Sequence, residues 1–151
     1  MISLVAVDRP IAHAVVACGD LDAVLPMPRV ADWPHADTAD ALRPVAEDPG
    51  HTGTFLICRD GVVVGECGWF GPPDDQSEVE IGFGLAPSAR RVGTGSEAVR
   101  QLLGWTVSQG ARVVRAEVKP GNTASLGLLQ RLGFLPGETR AGHVVLRWIT
   151  P

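Results

Sequence analysis

Runs of apolar, mostly β-branched residues recur through the first half of the chain. This composition is typical of β-strands and is found in residues 2–7, 54–59 and 62–70. Asp60-Gly61 lies between the last two runs, where an Asp-Gly pair is a strong signal for a two-residue hairpin turn. Residues 78–86 have the composition of a further strand. We therefore expect an antiparallel meander in this half of the protein.

Helices are predicted on both sides of a proline-rich stretch near the N-terminus. The helical segments are residues 10–18 and 39–48, and we expect Pro44 to shorten or kink the second one. Residues 20–36 lie between them and contain three prolines. Because proline interrupts regular hydrogen bonding, no continuous helix or strand is expected there.

The hydrophobic spacing changes to that of a helix from Thr94 onwards. Apolar residues recur every three to four positions until Gly110, which ends the helix. Residues 113–118 have the composition of a strand, and a second helix follows Asn122. Residues 134–150 are expected to form a closing hairpin.

The connection between the strands at residues 78–86 and 113–118 decides the fold class. A helix that joins two strands of one sheet implies that they run parallel. We therefore predict an α+β fold in a single domain over residues 1–151. Its sheet is mixed and mostly antiparallel, with a parallel central strand pair and flanking helices.

Composition and charge exclude several classes of protein. The chain has 151 residues, 45% of them hydrophobic, and a formal net charge of −4. A negative charge argues against a nucleic-acid-binding protein. No apolar run approaches the roughly 20 residues that span a membrane, and the N-terminus lacks the basic start of a signal peptide. We therefore expect a cytoplasmic protein with no nucleic-acid or membrane partner.

Cysteine and histidine spacing gives no indication of a metal site. The three cysteines, Cys18, Cys58 and Cys67, match no ligand pattern, and the four histidines show no H-x-x-H or H-E-x-x-H spacing. We predict no metal and expect the cysteines to be buried and reduced.

Residues 90–98, with the sequence R-R-V-G-T-G-S-E-A, combine two arginines with two closely spaced glycines. Such a stretch lets backbone N–H groups approach a phosphate, and G-x-G-x-x-A is also the pattern of a dinucleotide site. The context disfavours a dinucleotide site, because the glycines do not directly follow a strand and an antiparallel meander precedes them. A dinucleotide-binding oxidoreductase is kept as a remote alternative.

Residues 80–98 and 113–134 together resemble the GNAT superfamily of acyl-CoA-dependent N-acyltransferases. The family signature Q/R-x-x-G-x-G/A falls on Arg90, Gly93 and Gly95, and an N-x-x-S pattern starts at Asn122 and is followed by L-G-F. These features are most similar to the branch of the ribosomal-protein N-terminal acetyltransferases. The resemblance implies that the central parallel strands splay apart.

The resemblance also implies an activity and a co-substrate. The protein would transfer the acetyl group of acetyl-CoA to a primary amine, by direct attack in a ternary complex. The amine would belong to a small molecule or to a protein N-terminus. No metal is implied, and a homodimer is a further expectation from the resemblance.

Several residues are implied to bind acetyl-CoA. The pyrophosphate would lie against the main chain at the start of a helix, where unpaired N–H groups and the helix dipole favour an anion. The residues implied for this role are Arg90, Arg91, Val92, Gly93, Thr94, Gly95 and Ser96. The thioester and the pantetheine arm would contact Phe83, Gly84, Leu85 and Asn122.

Catalysis needs a base for the amine and, less strictly, an acid for the thiolate. Glu80 is our first choice as the base, and Glu78 lies two residues away on the same face. Many relatives have a tyrosine acid where this chain has Leu129, and the chain contains no tyrosine. Ser125 is the hydroxyl that the resemblance offers instead.

The acceptor pocket is expected between residues 20–36 and the turn at residues 71–77. Trp33 and His35 are the candidate walls, and Asp74 and Asp75 suggest a cationic acceptor. Because the tyrosine is missing, a second hypothesis is a GNAT-like module that binds acyl-CoA without turnover.

Overall fold

A seven-stranded sheet runs through the molecule, with helices on both faces. The computed structural model describes residues 1–151. In chain order the elements are β1 (Ile2–Ala6), α1 (Arg9–Val16), α2 (Thr38–Glu47), β2 (Thr54–Arg59), β3 (Val62–Trp69), β4 (Glu78–Leu85), α3 (Thr94–Ser108), β5 (Val113–Val118), α4 (Thr123–Arg131), β6 (Leu135–Arg140) and β7 (His143–Ile149).

The strand order in the sheet is β1-β2-β3-β4-β5-β7-β6. Neighbouring strands are antiparallel except for β4 and β5, which are parallel. Helix α3 connects these two strands, so the α+β fold predicted from the crossover is confirmed. The hairpin between β2 and β3 turns at Asp60 and Gly61, both with positive φ angles, as an Asp-Gly turn requires.

The two faces of the sheet bury separate hydrophobic clusters. Helices α3 and α4 cover one face, where Leu102 and Leu129 are fully buried. Helices α1 and α2 cover the other face, where Ile11 and Leu42 are buried. None of the helices is both long and apolar enough to cross a membrane.

The proline-rich segment between α1 and α2 is held by the start of β3. The Val63 N–H donates to the Pro28 carbonyl at 2.9 Å, and the Val30 N–H donates to the Val63 carbonyl at 3.0 Å. These bonds use the part of β3 that extends beyond β4. The segment is therefore irregular, as predicted, but tied to the sheet.

One prediction about the cysteines is wrong. Cys58 and Cys67 are buried, but Cys18 is exposed. Cys18 lies just after the end of α1 with a φ angle of +54°, where the chain leaves the helix and turns into solvent.

Leu102 on the inner face of α3 allows a test of the larger core. Leu102→Ala should lower the free energy of unfolding by about 2–5 kcal/mol, because it removes buried methyl groups and leaves a cavity. Leu135→Ala is the control, since Leu135 is 72% exposed. Urea denaturation measures both, and an equal effect of the two substitutions would contradict the assignment of α3 to the core.

Candidate functional site

The central strands β4 and β5 separate after four paired residues. Glu78–Ile81 pair with Val113–Ala116, and no pairing continues beyond them. Residues 82–85 of β4 remain paired with β3, whereas residues 117–118 of β5 remain paired with β7. The result is a wedge-shaped opening between the two strands at the centre of the sheet.

The hydrogen-bond register decides which backbone groups of β4 face this wedge. The Ala86 N–H donates to the Val64 carbonyl at 2.8 Å, and the Phe70 N–H donates to the Glu80 carbonyl at 2.9 Å. Since backbone groups alternate along a strand, even-numbered residues of β4 face β3. Phe83 and Leu85 therefore direct their N–H and C=O groups towards the wedge, whereas the backbone of Gly84 bonds to β3.

The loop between β4 and α3 lies at the open end of the wedge. Arg91 and Gly93 have φ angles of +67° and +81°, and α3 then begins at Thr94 with no side chain capping its N-terminus. A Cβ atom added to Gly93 would meet nothing within 4 Å. The first N–H groups of α3 thus form an open site for an anion.

Thr94 and the arginines near the loop differ in whether their polar groups are already hydrogen-bonded within the chain. The Thr94 side chain is buried, and its hydroxyl has no hydrogen-bond partner. Arg90 donates from Nε to the Leu85 carbonyl at 3.1 Å, and Arg100 pairs with Glu97 at 2.7 Å. Arg91 is exposed in the loop. Of the three arginines that the sequence places near the glycines, two are held by this chain's own groups.

Three glycines near the wedge make room for neighbouring side chains. A Cβ atom on Gly95 would lie 2.9 Å from Leu128 Cδ1, so Gly95 permits α3 and α4 to pack closely. Gly82 would meet the Phe70 ring at 3.2 Å, and Gly84 would meet Glu66 Oε2 at 2.5 Å. The neighbours of Gly82 and Gly84 on their Cβ side are therefore protein side chains.

Helix α4 begins next to the wedge. Asn122 caps the helix by accepting a hydrogen bond from the Ser125 N–H at 3.2 Å. Ser125 is half-buried in the first turn. Leu129 is fully buried in the core, so the position that holds a tyrosine in many relatives contributes only packing here.

A cavity of about 270 Å³ lies on the α2 face of the sheet, against β3 and β4. Its lining residues are His35, Asp37, Asp40, Ala41, Pro44, Thr54, Glu66, Cys67, Gly68, Trp69, Phe70, Gly82, Phe83 and Gly84. Of the two segments expected to form the acceptor pocket, residues 20–36 contribute His35 to this lining. Helix α2 and strand β3 form most of its walls, and residues 71–77 are not among the lining.

Glu66 is a buried carboxylate at the floor of this cavity, only 2% exposed. Its Oε1 atom accepts hydrogen bonds from Trp33 Nε1 at 3.0 Å and from the Thr38 hydroxyl at 2.9 Å. Its Oε2 atom lies 2.9 Å from His35 Nε2. We did not predict Glu66 from the sequence, although a single acid within the apolar run at residues 62–70 was an available signal.

His35 lines the cavity, whereas Trp33, the other candidate wall of the acceptor pocket, does not. Trp33 is completely buried and acts on the site only through its bond to Glu66. The hydrogen bond to the Glu66 carboxylate raises the pKa of His35 above its ordinary value, although burial acts in the opposite direction. The Asp37 N–H lies 3.2 Å from His35 Nδ1, so the neutral ring carries its proton on Nε2 and donates it to Glu66.

Glu78 and Glu80 belong to a charge network outside the cavity lining. Arg115 on β5 donates to Glu78 and, at 3.0 Å, to Glu80, and Arg147 on β7 donates to Glu78 at 3.0 Å. Neither glutamate lines the cavity. The network links the paired ends of β4 and β5 to β7, and it engages one oxygen of the predicted base Glu80.

The predicted acidic turn has a local structural role. Asp74 accepts hydrogen bonds from the backbone N–H groups of Gln76 and Glu78, both at 2.9 Å. These bonds close the turn before β4 and hold the pKa of Asp74 below its ordinary value. The acids that do border the cavity are Glu66, Asp37 and Asp40.

Comparison with known proteins gives one family and a consistent fold. A family model described as an acetyltransferase (GNAT) domain matches residues 9–135. An uncharacterized N-acetyltransferase of Bacillus subtilis, YjdG, is 29% identical over 121 residues, which are 74% of this chain and 72% of that protein.

Two solved structures share the fold over nearly the whole chain. RimJ of Mycobacterium smegmatis, in complex with CoA-disulfide, has a TM-score of 0.69 and 20% identity, covering 99% of this chain and 82% of that one. The structure of yncA of Salmonella typhimurium with its cofactor acetyl-CoA has a TM-score of 0.65 and 17% identity, covering 99% of this chain and 94% of that one.

The bond between His35 and Glu66 predicts a measurable titration. Glu66→Gln should lower the pKa of His35, because it removes the carboxylate that favours the protonated ring. Since the folded-state pKa is raised, protonated His35 stabilises the wild type fully below the ordinary histidine pKa of about 6.5. This contribution is lost as the pH rises through the folded-state pKa.

NMR titration of the His35 ring measures this shift. The nitrogen chemical shifts should also identify the Nε2–H tautomer above the midpoint. Asp75→Asn, which removes an acid from a turn that does not border the cavity, is the control and should leave the midpoint unchanged. A His35 midpoint that is the same in Glu66→Gln and wild type would contradict the pairing.

Proposed function

The chain belongs to the GNAT acetyltransferase family, and we propose that it transfers the acetyl group of acetyl-CoA to a primary amine. The family assignment confirms the resemblance drawn from residues 80–98 and 113–134. RimJ, from the branch that the sequence most resembles, is among the structural neighbours. The observation that carries the proposal is the wedge between β4 and β5, with the uncapped start of α3 at its open end.

The residues around the wedge fit acetyl-CoA. The unpaired N–H groups at residues 91–96 and the exposed Arg91 suit a pyrophosphate. The buried Thr94 hydroxyl without a partner lies in the same turn. Phe83 and Leu85 present backbone groups to the wedge, where a pantetheine arm can pair with them as a strand would. Asn122 lies at the start of α4 on the other side of the loop.

Acetyl-CoA supplies an activated acyl group, and residues of this chain stabilise the developing charge and remove a proton from the amine. The N–H groups of Phe83 or Leu85 donate to the thioester oxygen and stabilise the negative charge that develops on it. A carboxylate on the acceptor side removes a proton from the amine, which is mostly protonated at neutral pH because its pKa is about 8–10. Glu80 remains our sequence-based proposal for this base, with Glu78 as the alternative.

Ser125 is the proposed donor of a proton to the departing sulfur. We expect this proton donation to contribute little to the rate, since a thiol of pKa about 8.5 leaves readily without an acid. This accounts for a working enzyme that has the buried Leu129 in place of a tyrosine.

Cys67 supports direct transfer rather than an acyl-cysteine intermediate. Its side chain lies in the hydrophobic cluster on the α3 face of the sheet, and burial, together with the neighbouring charge of Glu66, raises the pKa of Cys67 far above its ordinary value. Since only the thiolate is a good nucleophile, Cys67 stays protonated and unreactive.

A module that binds acyl-CoA without turnover is the second candidate function. The observation in its favour is that Leu129 is completely buried and offers no acid to the leaving group. The two functions differ in one measurable property, namely whether free thiol is released when an amine is added.

Acetyl-CoA should release free thiol in the presence of some primary amines among peptides, polyamines and aminoglycosides. Binding of acetyl-CoA without release would favour the binding module, and no binding would contradict both functions. If Glu80 is the base, Glu80→Gln should lower the rate of thiol release at neutral pH. The rate of the variant should recover in part at higher pH, where more of the amine is neutral.

Glu138→Gln is the matched control for this substitution. Glu138 pairs with Arg147 in the same charge network, but on the edge strand β6. An equal loss of rate in the two variants would assign Glu80 to the network and not to proton transfer.

Gly93 tests the proposed pyrophosphate loop. Gly93→Ala should raise the Kd for CoA several-fold, because a left-handed residue with a Cβ atom costs about 1–2 kcal/mol and the loop relaxes to avoid it. Gly104→Ala is the control, since Gly104 lies within α3 and its added Cβ would also meet nothing within 4 Å. Calorimetry measures both, and an unchanged Kd for Gly93→Ala would place the pyrophosphate elsewhere.

A further inference from the structure

The cavity on the α2 face has the chemistry of a binding site for one kind of acceptor. We propose that it binds a small primary amine as an ammonium cation, with an apolar body and no carboxylate, and that Glu66 is the residue that binds the ammonium. This proposal rests on the acetyl transfer proposed above and names the class of its acceptor.

The carboxylate of Glu66 has one hydrogen-bonding position left over. A carboxylate can accept about four hydrogen bonds. Three are used, two on Oε1 from Trp33 and Thr38 and one on Oε2 from His35. These bonds hold a charge in a buried place and leave capacity on Oε2. An ammonium group, with three N–H donors, is a suitable partner for that capacity.

Oε2 also lies on the side of Glu66 where acetyl transfer is proposed. Glu66 is directly opposite Gly84 in the β3–β4 register, and a Cβ atom on Gly84 would be 2.5 Å from Oε2 and 2.8 Å from the His35 ring. Gly84 lies between Phe83 and Leu85, whose backbone groups face the wedge. An amine at Oε2 is therefore one strand away from the proposed thioester.

The charges around the cavity select against an anionic acceptor. The charged side chains that line it are Glu66, Asp37 and Asp40, and neither lysine nor arginine lines it. Asp40 is partly neutralised by Arg43 at 3.4 Å, and His35 is neutral above its midpoint. A carboxylate brought into this cavity would meet like charge with no cation to pair with, which costs binding energy.

Apart from Thr54, the remaining side chains of the lining are apolar. Ala41 and Pro44 of α2 lie on one side, and the Phe70 ring lies over Gly82 on the other. Phe70 is 60% exposed, so covering it with an apolar ligand removes hydrocarbon surface from water. A volume of about 270 Å³ accommodates a small molecule rather than a folded chain.

Four phenyl compounds of similar shape but different charge distinguish the effect of the ligand's charge from the effect of its shape. The probes are 2-phenylethylamine, its neutral analogue 2-phenylethanol, phenylalaninamide and phenylalanine. By NMR titration without acetyl-CoA, the amine should bind wild-type protein about tenfold or more tightly than the alcohol, since a hydrogen bond to a charged group is worth roughly that much. With acetyl-CoA, phenylalaninamide should be acetylated and phenylalanine should not.

Glu66→Gln keeps the size of the side chain and removes its charge. The preference for amine over alcohol should disappear, and the KM for 2-phenylethylamine should rise about tenfold, while the Kd for CoA stays unchanged. Asp75→Asn removes one negative charge outside the cavity lining and should retain the preference. If Glu66→Gln does not fold, as judged by circular dichroism, the comparisons of amine with alcohol and of amide with acid in the wild-type protein still test the ammonium site.

The outcomes separate this proposal from the proposed function. Equal binding of amine and alcohol, an unchanged preference in Glu66→Gln, or equal acetylation of phenylalanine and its amide would overturn the ammonium site. Turnover of peptides with no binding of the small amine would also overturn it and indicate a protein N-terminus. A retained charge preference with no thiol release from any amine would instead support the ammonium site and reject acetyl transfer.

Discussion

The separation of β4 from β5 is the constraint on which the rest of the site depends. A sheet that stops pairing at its centre leaves backbone N–H and C=O groups without partners, and buried groups of this kind are costly. Here the groups without a partner strand belong to Phe83 and Leu85, next to the loop that begins α3, and Arg90 of that loop donates to the Leu85 carbonyl. The same interruption therefore produces a row of backbone donors and acceptors and, at its end, the unpaired N–H groups of a helix.

The second constraint is the buried charge of Glu66. An unpaired carboxylate in this place would be strongly unfavourable, and three donors from the proline-rich segment and the start of α2 offset the cost. These donors lie 28 to 33 residues away in sequence. The irregular segment at residues 20–36 is thus held by the backbone of β3 at Val63 and by the side chain of Glu66, and Ser88 adds two hydrogen bonds to Asp32.

The sequence was sufficient for the features that depend on local chemistry. The loop at residues 90–96, the crossover helix and the Asp-Gly hairpin each follow from residues that are neighbours in the chain.

Glu66 was missed because its role depends on Trp33 and Thr38, which are distant in sequence, and on a bulge. The β2–β3 register shifts between Ile57 and Cys58, which makes Val64 an extra residue in β3 and places Glu66 on the α2 face. Alternation along an apolar run does not indicate such a shift. Gly84 of β4 was predicted to be a site residue, but the side chains that surround it depend on tertiary packing, which the sequence does not indicate.

Strand β4 shows how one segment can contribute to both sides of the reaction. Its odd-numbered residues, Phe83 and Leu85, pack their side chains against the α3 core and turn their backbone groups to the wedge. Its even-numbered residues bond to β3, and their side chains face α2. Two of these are glutamates that join the Arg115 network, and two are glycines whose missing side chains leave space for Phe70 and for Glu66 with His35. The period-two alternation of a strand therefore separates the proposed acyl contacts from the acceptor cavity, and a glycine at position 84 is what lets a buried carboxylate lie beside the strand that divides them.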